Sequence, residues 1–71
     1  MIIFNRLWGE LKKQGKTKIF LRGFLGGSTY NSLRHNKPVS TYTIDLICKK
    51  LNCQPESILE YIPDEEYNKD N

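Results

Sequence analysis

The tightest constraint on this sequence is a break with almost no length. Between Lys16 and Asn36 the chain reads KTKIFLRGFLGGSTYNSLRHN, an apolar-faced segment and a polar segment joined through glycine. Two helices and one abrupt turn are all that such a stretch can hold. Ile19 and Phe20 are expected to bury against a core and Leu25 to sit in the turn. Tyr30 and Leu33, three apart, turn one side of the second helix inward. Its other side is left with Ser28, Thr29, Asn31, Ser32 and His35, short hydrogen-bonding residues suited to base edges, with Arg34 and Lys37 at the far end. The pattern is that of a helix-turn-helix.

The flanking sequence supplies the rest of a bundle. Asn5 reads as an N-cap, Leu7, Trp8 and Leu11 recur at helical spacing, and Gly15 offers a left-handed stop. Gly9 inside that helix costs roughly 1 kcal/mol relative to alanine, so another helix is expected to pass close to it. Trp8 reads as a core residue. Ile2 and Ile3 read either as a fraying extension or as a short strand. Thr17 caps the second helix, expected to run through Arg22, with Gly23, Gly26 and Gly27 freeing the turn. The third begins with either Gly26 or Ser28 as its cap and ends at Asn36, ahead of Pro38. Ser40 caps the fourth, whose Ile44, Ile47, Cys48 and Leu51 fall at i, i+3, i+4 and i+7, and Asn52 closes it. Pro55 opens a final helix whose Ile58, Leu59 and Tyr61 or Ile62 cover the core, and Pro63 ends it. No segment alternates as a sheet requires. The expectation is an all-α, compact five-helix bundle over residues 1–63, followed by an acidic, mobile tail over 64–71.

Seventy-one residues make one domain, near the lower limit for a self-sufficient core. The longest apolar run, Met1 to Phe4, is too short for a membrane span or a signal peptide, which points to the cytoplasm. Cys48 and Cys53 lack a CxxC and have one histidine for company, so they form no four-ligand zinc site and read as small buried apolar residues. Charge is unevenly spread. Up to Gln54 ten Lys or Arg face only Glu10 and Asp45, leaving +8, whereas beyond it Lys69 faces six carboxylates, leaving −5. A basic body with an acidic tail suggests a polyanion partner. Enzymatic chemistry is not expected: His35 has no titratable partner, the carboxylates gather in the tail, and Leu25-Gly26-Gly27-Ser28 lacks the strand and lysine of a phosphate loop. No cofactor or metal is expected either.

With these segments in order, Phe4-Asn5-Arg6-Leu7-Trp8, TYNSLRHNKPV from Thr29, IDLICKKLNC from Ile44 and SILEYIPDEE from Ser57, the chain resembles the small phage-repressor-like (Cro, or xenobiotic-response-element) helix-turn-helix regulators over nearly its whole length. The resemblance implies a five-helix DNA-binding domain whose third helix, about residues 27–35, enters the major groove of double-stranded DNA while the second lies across the backbone. Carried over by position, base contacts fall at Gly27, Ser28, Asn31 and Ser32, and Thr29 touches base or backbone. Phosphate contacts fall at Lys16, Thr17, Arg34, His35, Lys37 and Thr41. The implied function is a transcriptional regulator, a repressor, and economy of surface favours a homodimer on an inverted repeat. The sequence departs from the family at Phe20, Phe24 and Gly23 in the second helix and at Gly26, where a Ser or Thr cap is common. Exposure of Phe20, Phe24, Tyr30 and Tyr42 would favour a different role, a protein-binding or inhibitor module of a phage or mobile element.

Overall fold

The computed structural model describes residues 1–68, and within them the elements are β1 (Ile2–Ile3), α1 (Asn5–Lys13), α2 (Lys18–Leu25), α3 (Gly27–Arg34), α4 (Thr41–Leu51), a 3-10 turn (Pro55–Ser57), β2 (Glu60–Tyr61) and α5 (Asp64–Asn68). The core draws one or two side chains from almost every element: Phe4, Leu7 and Leu11, then Leu21, Leu33, Ile47, Leu51 and Ile58. Leu7, Leu21, Leu33, Ile47 and Ile58 are fully buried, each stabilising the fold by about 1.5–3 kcal/mol through water exclusion. Trp8 and Tyr30 close the margin edge-to-face, with ring centroids 6.0 Å apart.

The helix ends follow local chemistry. Thr17 Oγ1 accepts the Phe20 N–H at 3.2 Å and Ser40 Oγ accepts that of Thr43 at 3.2 Å, so both expected caps form. Gly15 and Asn36 take the left-handed conformations expected of them, at φ +70° and +54°, and Asn52, expected to close α4, does so at φ +50°. Asn36 does more than end α3: its Oδ1 accepts the Phe4 N–H at 2.8 Å, tying the start of α1 to the end of the third helix.

Several expectations give way. Phe4, not Asn5, is the cap position of α1, and it brings no side-chain cap: its backbone O accepts the Leu7 N–H at 3.1 Å, while its own N–H is held by Asn36 from across the fold. A methyl group on Gly9 would meet nothing within 4 Å, so no helix passes there. α2 runs on through Gly23 to Leu25, which therefore ends a helix rather than sitting in a turn. Gly26 alone separates α2 from α3, at φ +86° and ψ 161°, a region open almost only to glycine. Gly26 is thus the cap of α3, and Ser28 lies inside it. Ile19 points outward, 82% exposed, and Leu21 takes the buried place instead.

The C-terminal part differs most. Pro55 opens one 3-10 turn rather than a helix, with Ile58 dropping into the core, and the chain then extends to pair with β1. The pairing is antiparallel, Ile2 opposite Tyr61 and Ile3 opposite Glu60, and the Ile62 N–H donates to Met1 O at 2.8 Å. This small sheet takes the strand alternative for Ile2 and Ile3. Arg6 pins it, donating to Glu56 O at 2.9 Å and pairing with Glu60 at 3.0 Å. Asp64, where the tail was expected to begin, starts the short α5; residues 69–71 of that expected tail lie outside the described residues. Cys48 and Cys53 are free thiols, half-buried rather than buried.

Candidate functional site

The single-residue link at Gly26 fixes how α3 stands on α2. With Leu33 fully buried and Tyr30 against Trp8, the helix can face only one way. Gly27, Ser28 and Asn31 are exposed, as are Arg34 and His35 further along; positions 27, 31, 34 and 35 form one outward stripe at i, i+4, i+7 and i+8. Thr29 and Ser32 are half-buried on its flank. The start of α3 carries no acidic side chain of its own. No side chain caps it either, so its free N–H groups make a positive end.

The loop after α3 is held close to the helix. Lys37 N–H donates to Ser32 O at 2.8 Å and Asn36 N–H to Leu33 O at 3.3 Å. Lys37 and Thr41 are both exposed and share the wall of an apolar groove of about 450 Å³ with Asn36, Val39 and Ile44. Lys16 and Thr17, also exposed, stand at the other end of the motif, before and at the cap of α2. Thr17 keeps its hydroxyl proton free to donate, because its oxygen is the acceptor for Phe20.

Three ion pairs occur among the described residues, none of them made by a cation of this face. Asp45 pairs with Lys49 at 3.0 Å, Glu60 with Arg6 and Asp64 with the Met1 ammonium at 2.9 Å. Among the described residues Lys16, Arg22, Arg34 and Lys37 make no ion pair. The aromatics of α2 are not an open patch. Phe20 and Phe24 are half-buried against the core, edge-to-face at 5.5 Å, with the Lys16 and Lys50 ammonium groups 4.9 and 5.7 Å from their respective ring centroids. Tyr30 is half-buried too; the exposed large apolar residues are Ile19 and Tyr42, on separate helices, and the cross-strand pair Ile2 and Tyr61.

Sequence reasoning missed one residue here. Arg22, counted only as charge, reaches over the α2–α3 turn to the start of α3: a methyl group on Gly27 would lie 3.6 Å from its Nη2 and 3.8 Å from its Nε. An arginine five places before a glycine at a helix start was the available signal. No group of three or more His, Cys, Asp or Glu gathers as a metal site among the described residues. None of their helices is long and apolar enough to cross a membrane.

The profile of a family described as the Cro/C1-type HTH DNA-binding domain matches residues 6–64. Among solved structures, the crystal structure of transcriptional regulator VanUg, Form II, is similar at 33% identity and a TM-score of 0.83, over 87% of this chain and 85% of that one. No curated protein sequence matches.

Proposed function

The chain belongs to the Cro/C1-type helix-turn-helix DNA-binding domain family, and from that premise we propose that it is a DNA-binding transcriptional regulator that places α3 in the major groove. Ser28, Asn31 and Ser32 read base edges, Thr29 reads base or backbone, and Gly27 brings the helix close to the base pairs. Lys16, Thr17, Arg34, His35, Lys37 and Thr41 hold phosphates on either side. The observation that carries this is the outward stripe of α3 with its uncapped, acid-free start and the unpaired cations around it. Repression is the simplest output, since it needs only occupancy of a site. Two copies on an inverted repeat, with half-sites about 34–36 Å apart, would double the contacts. The protein-module alternative loses its motive, because Phe20 and Phe24 fold into the margin of the core.

Selection from random duplexes followed by a salt titration tests the reading. Affinity should fall with salt at a log-log slope of about 0.9 per phosphate engaged. Asn31→Ala should blur the selected sequence, whereas Lys37→Ala should weaken all sites alike and flatten the slope by about one phosphate. A complex indifferent to salt, or no complex with any duplex, would refute it. Sedimentation showing monomers only, free and on DNA, would remove the dimer.

A further inference from the structure

The first position of the reading helix is Gly27, which projects no side chain, yet the space beside it is filled. Arg22 ends its reach there, within van der Waals distance of where a side chain at position 27 would begin. It comes from the last turn of α2, folding over Gly26, whose positive φ turns the chain sharply enough for the two positions to meet.

We propose that Arg22 is a specificity-determining residue, a base reader lent by α2 to the start of α3, where it recognises a guanine. The proposal rests on the reading of α3 as the groove helix. The guanidinium springs from the last turn of α2, whose carbonyl end favours a cation, but it reaches to the positive start of α3, which has no acidic residue in its first turn, and it makes no ion pair among the described residues. It is therefore presented to an electron-rich acceptor from outside. The N-terminal residues of a recognition helix are those that meet base edges, so an arginine at that end lies at the depth of the base pairs. There its planar fork matches guanine O6 and N7, an arrangement a lysine cannot reproduce with two parallel bonds. Gly27 is then an accommodating residue: a longer side chain would occupy the volume that Arg22 uses.

The test is selection from random duplexes with the full chain, comparing wild type, Arg22→Lys and Arg22→Ala, with circular dichroism to confirm that the exposed substitutions leave the fold intact. Wild type should enrich one guanine per half-site. Both variants should lose that preference by about tenfold while keeping the preferences set by Ser28 and Asn31. Arg22→Lys should retain the wild-type salt slope, since its charge remains. Should Arg22→Lys keep the guanine, with Arg22→Ala weakening every sequence equally, Arg22 is a phosphate clamp and the inference is overturned. An unchanged selected sequence in Arg22→Ala overturns it as well. If wild type binds no duplex at all, the groove reading itself has failed, a result distinct from both.

Discussion

Replacing glycine by alanine should have opposite signs at different places in this chain. Gly9 and Gly23 lie inside α1 and α2, and an added methyl group meets nothing within 4 Å at either. Each change then stabilises by about 0.5–1 kcal/mol through backbone entropy. At Gly26 space is equally open, but φ +86° with ψ 161° forces an L-residue into a region costing about 1–3 kcal/mol. Loss of unfolded-state freedom returns about 0.4–1 kcal/mol of that, leaving a net destabilisation of about 1–2 kcal/mol. Unfolding entropy of about 2.1 cal/mol/K per residue, over 71 residues, makes 1 kcal/mol worth about 7 °C in Tm. Gly9→Ala and Gly23→Ala should each raise Tm by about 3–7 °C and together nearly add, whereas Gly26→Ala should lower it by about 7–14 °C. Thermal unfolding followed by circular dichroism measures all three. D-alanine at position 26, which favours positive φ, should restore the melt. If Gly26→Ala melts at or above wild type, or if Gly23→Ala melts below it, the single-residue link between α2 and α3 is wrongly described.

Two further expectations concern stability alone. Asn36→Ala removes both the residue that tolerates the left-handed turn and the acceptor for the Phe4 N–H, and should lose about 1–3 kcal/mol in urea unfolding; Asn36→Gly keeps the turn and isolates the loss of the acceptor. Burial raises the thiols of Cys48 and Cys53 above their ordinary value of 9.0, the neighbouring Asp45 adding to the first and the Cys48 and Glu10 charges to the second. Above that value the unfolded chain releases protons that the folded chain retains, so stability is full below about pH 9 and declines as pH rises through the folded values. The double variant Cys48→Ala with Cys53→Ala should flatten this alkaline decline in urea midpoints measured across pH, and an unchanged decline would assign it to other groups.

Much of the fold was legible because its signals are local. Thr17 and Ser40 sit where a hydroxyl satisfies the first free N–H groups, Asn36 and Asn52 where the chain turns left-handed, and α4 carries an unambiguous stripe ending at Leu51. α2 was harder. In KIFLRGFL five of eight residues are apolar, so several helical phases bury a plausible stripe, and only packing into the shared core selects Leu21 over Ile19. Gly23 looked like a break, but one glycine costs a helix too little to stop it. Of the strands, β1 was one of two readings open for Ile2 and Ile3, but β2 and the pairing were beyond pattern reading: two residues have no periodicity, and the partner lies near the other end of the chain. On the candidate face, the exposure of Ser28 and Asn31 followed from the positions of Tyr30 and Leu33. The reach of Arg22 did not, because it depends on the angle set at Gly26.

The ribbon formed by β1 and β2 bears on the order in which the molecule assembles. α2 and α3 adjoin in sequence and can dock as soon as they form, whereas Ile3 must find Glu60 across most of the chain, a closure that entropy delays. α3 is therefore expected to be in place on α2 before the ribbon shuts, and the ribbon to part first on unfolding. Transient opening there would bare Ile3 and Phe4 to water while α3 keeps its place on α2, so amide exchange should run ahead at the ribbon and lag in the hydrogen-bonded part of α3 around the buried Leu33.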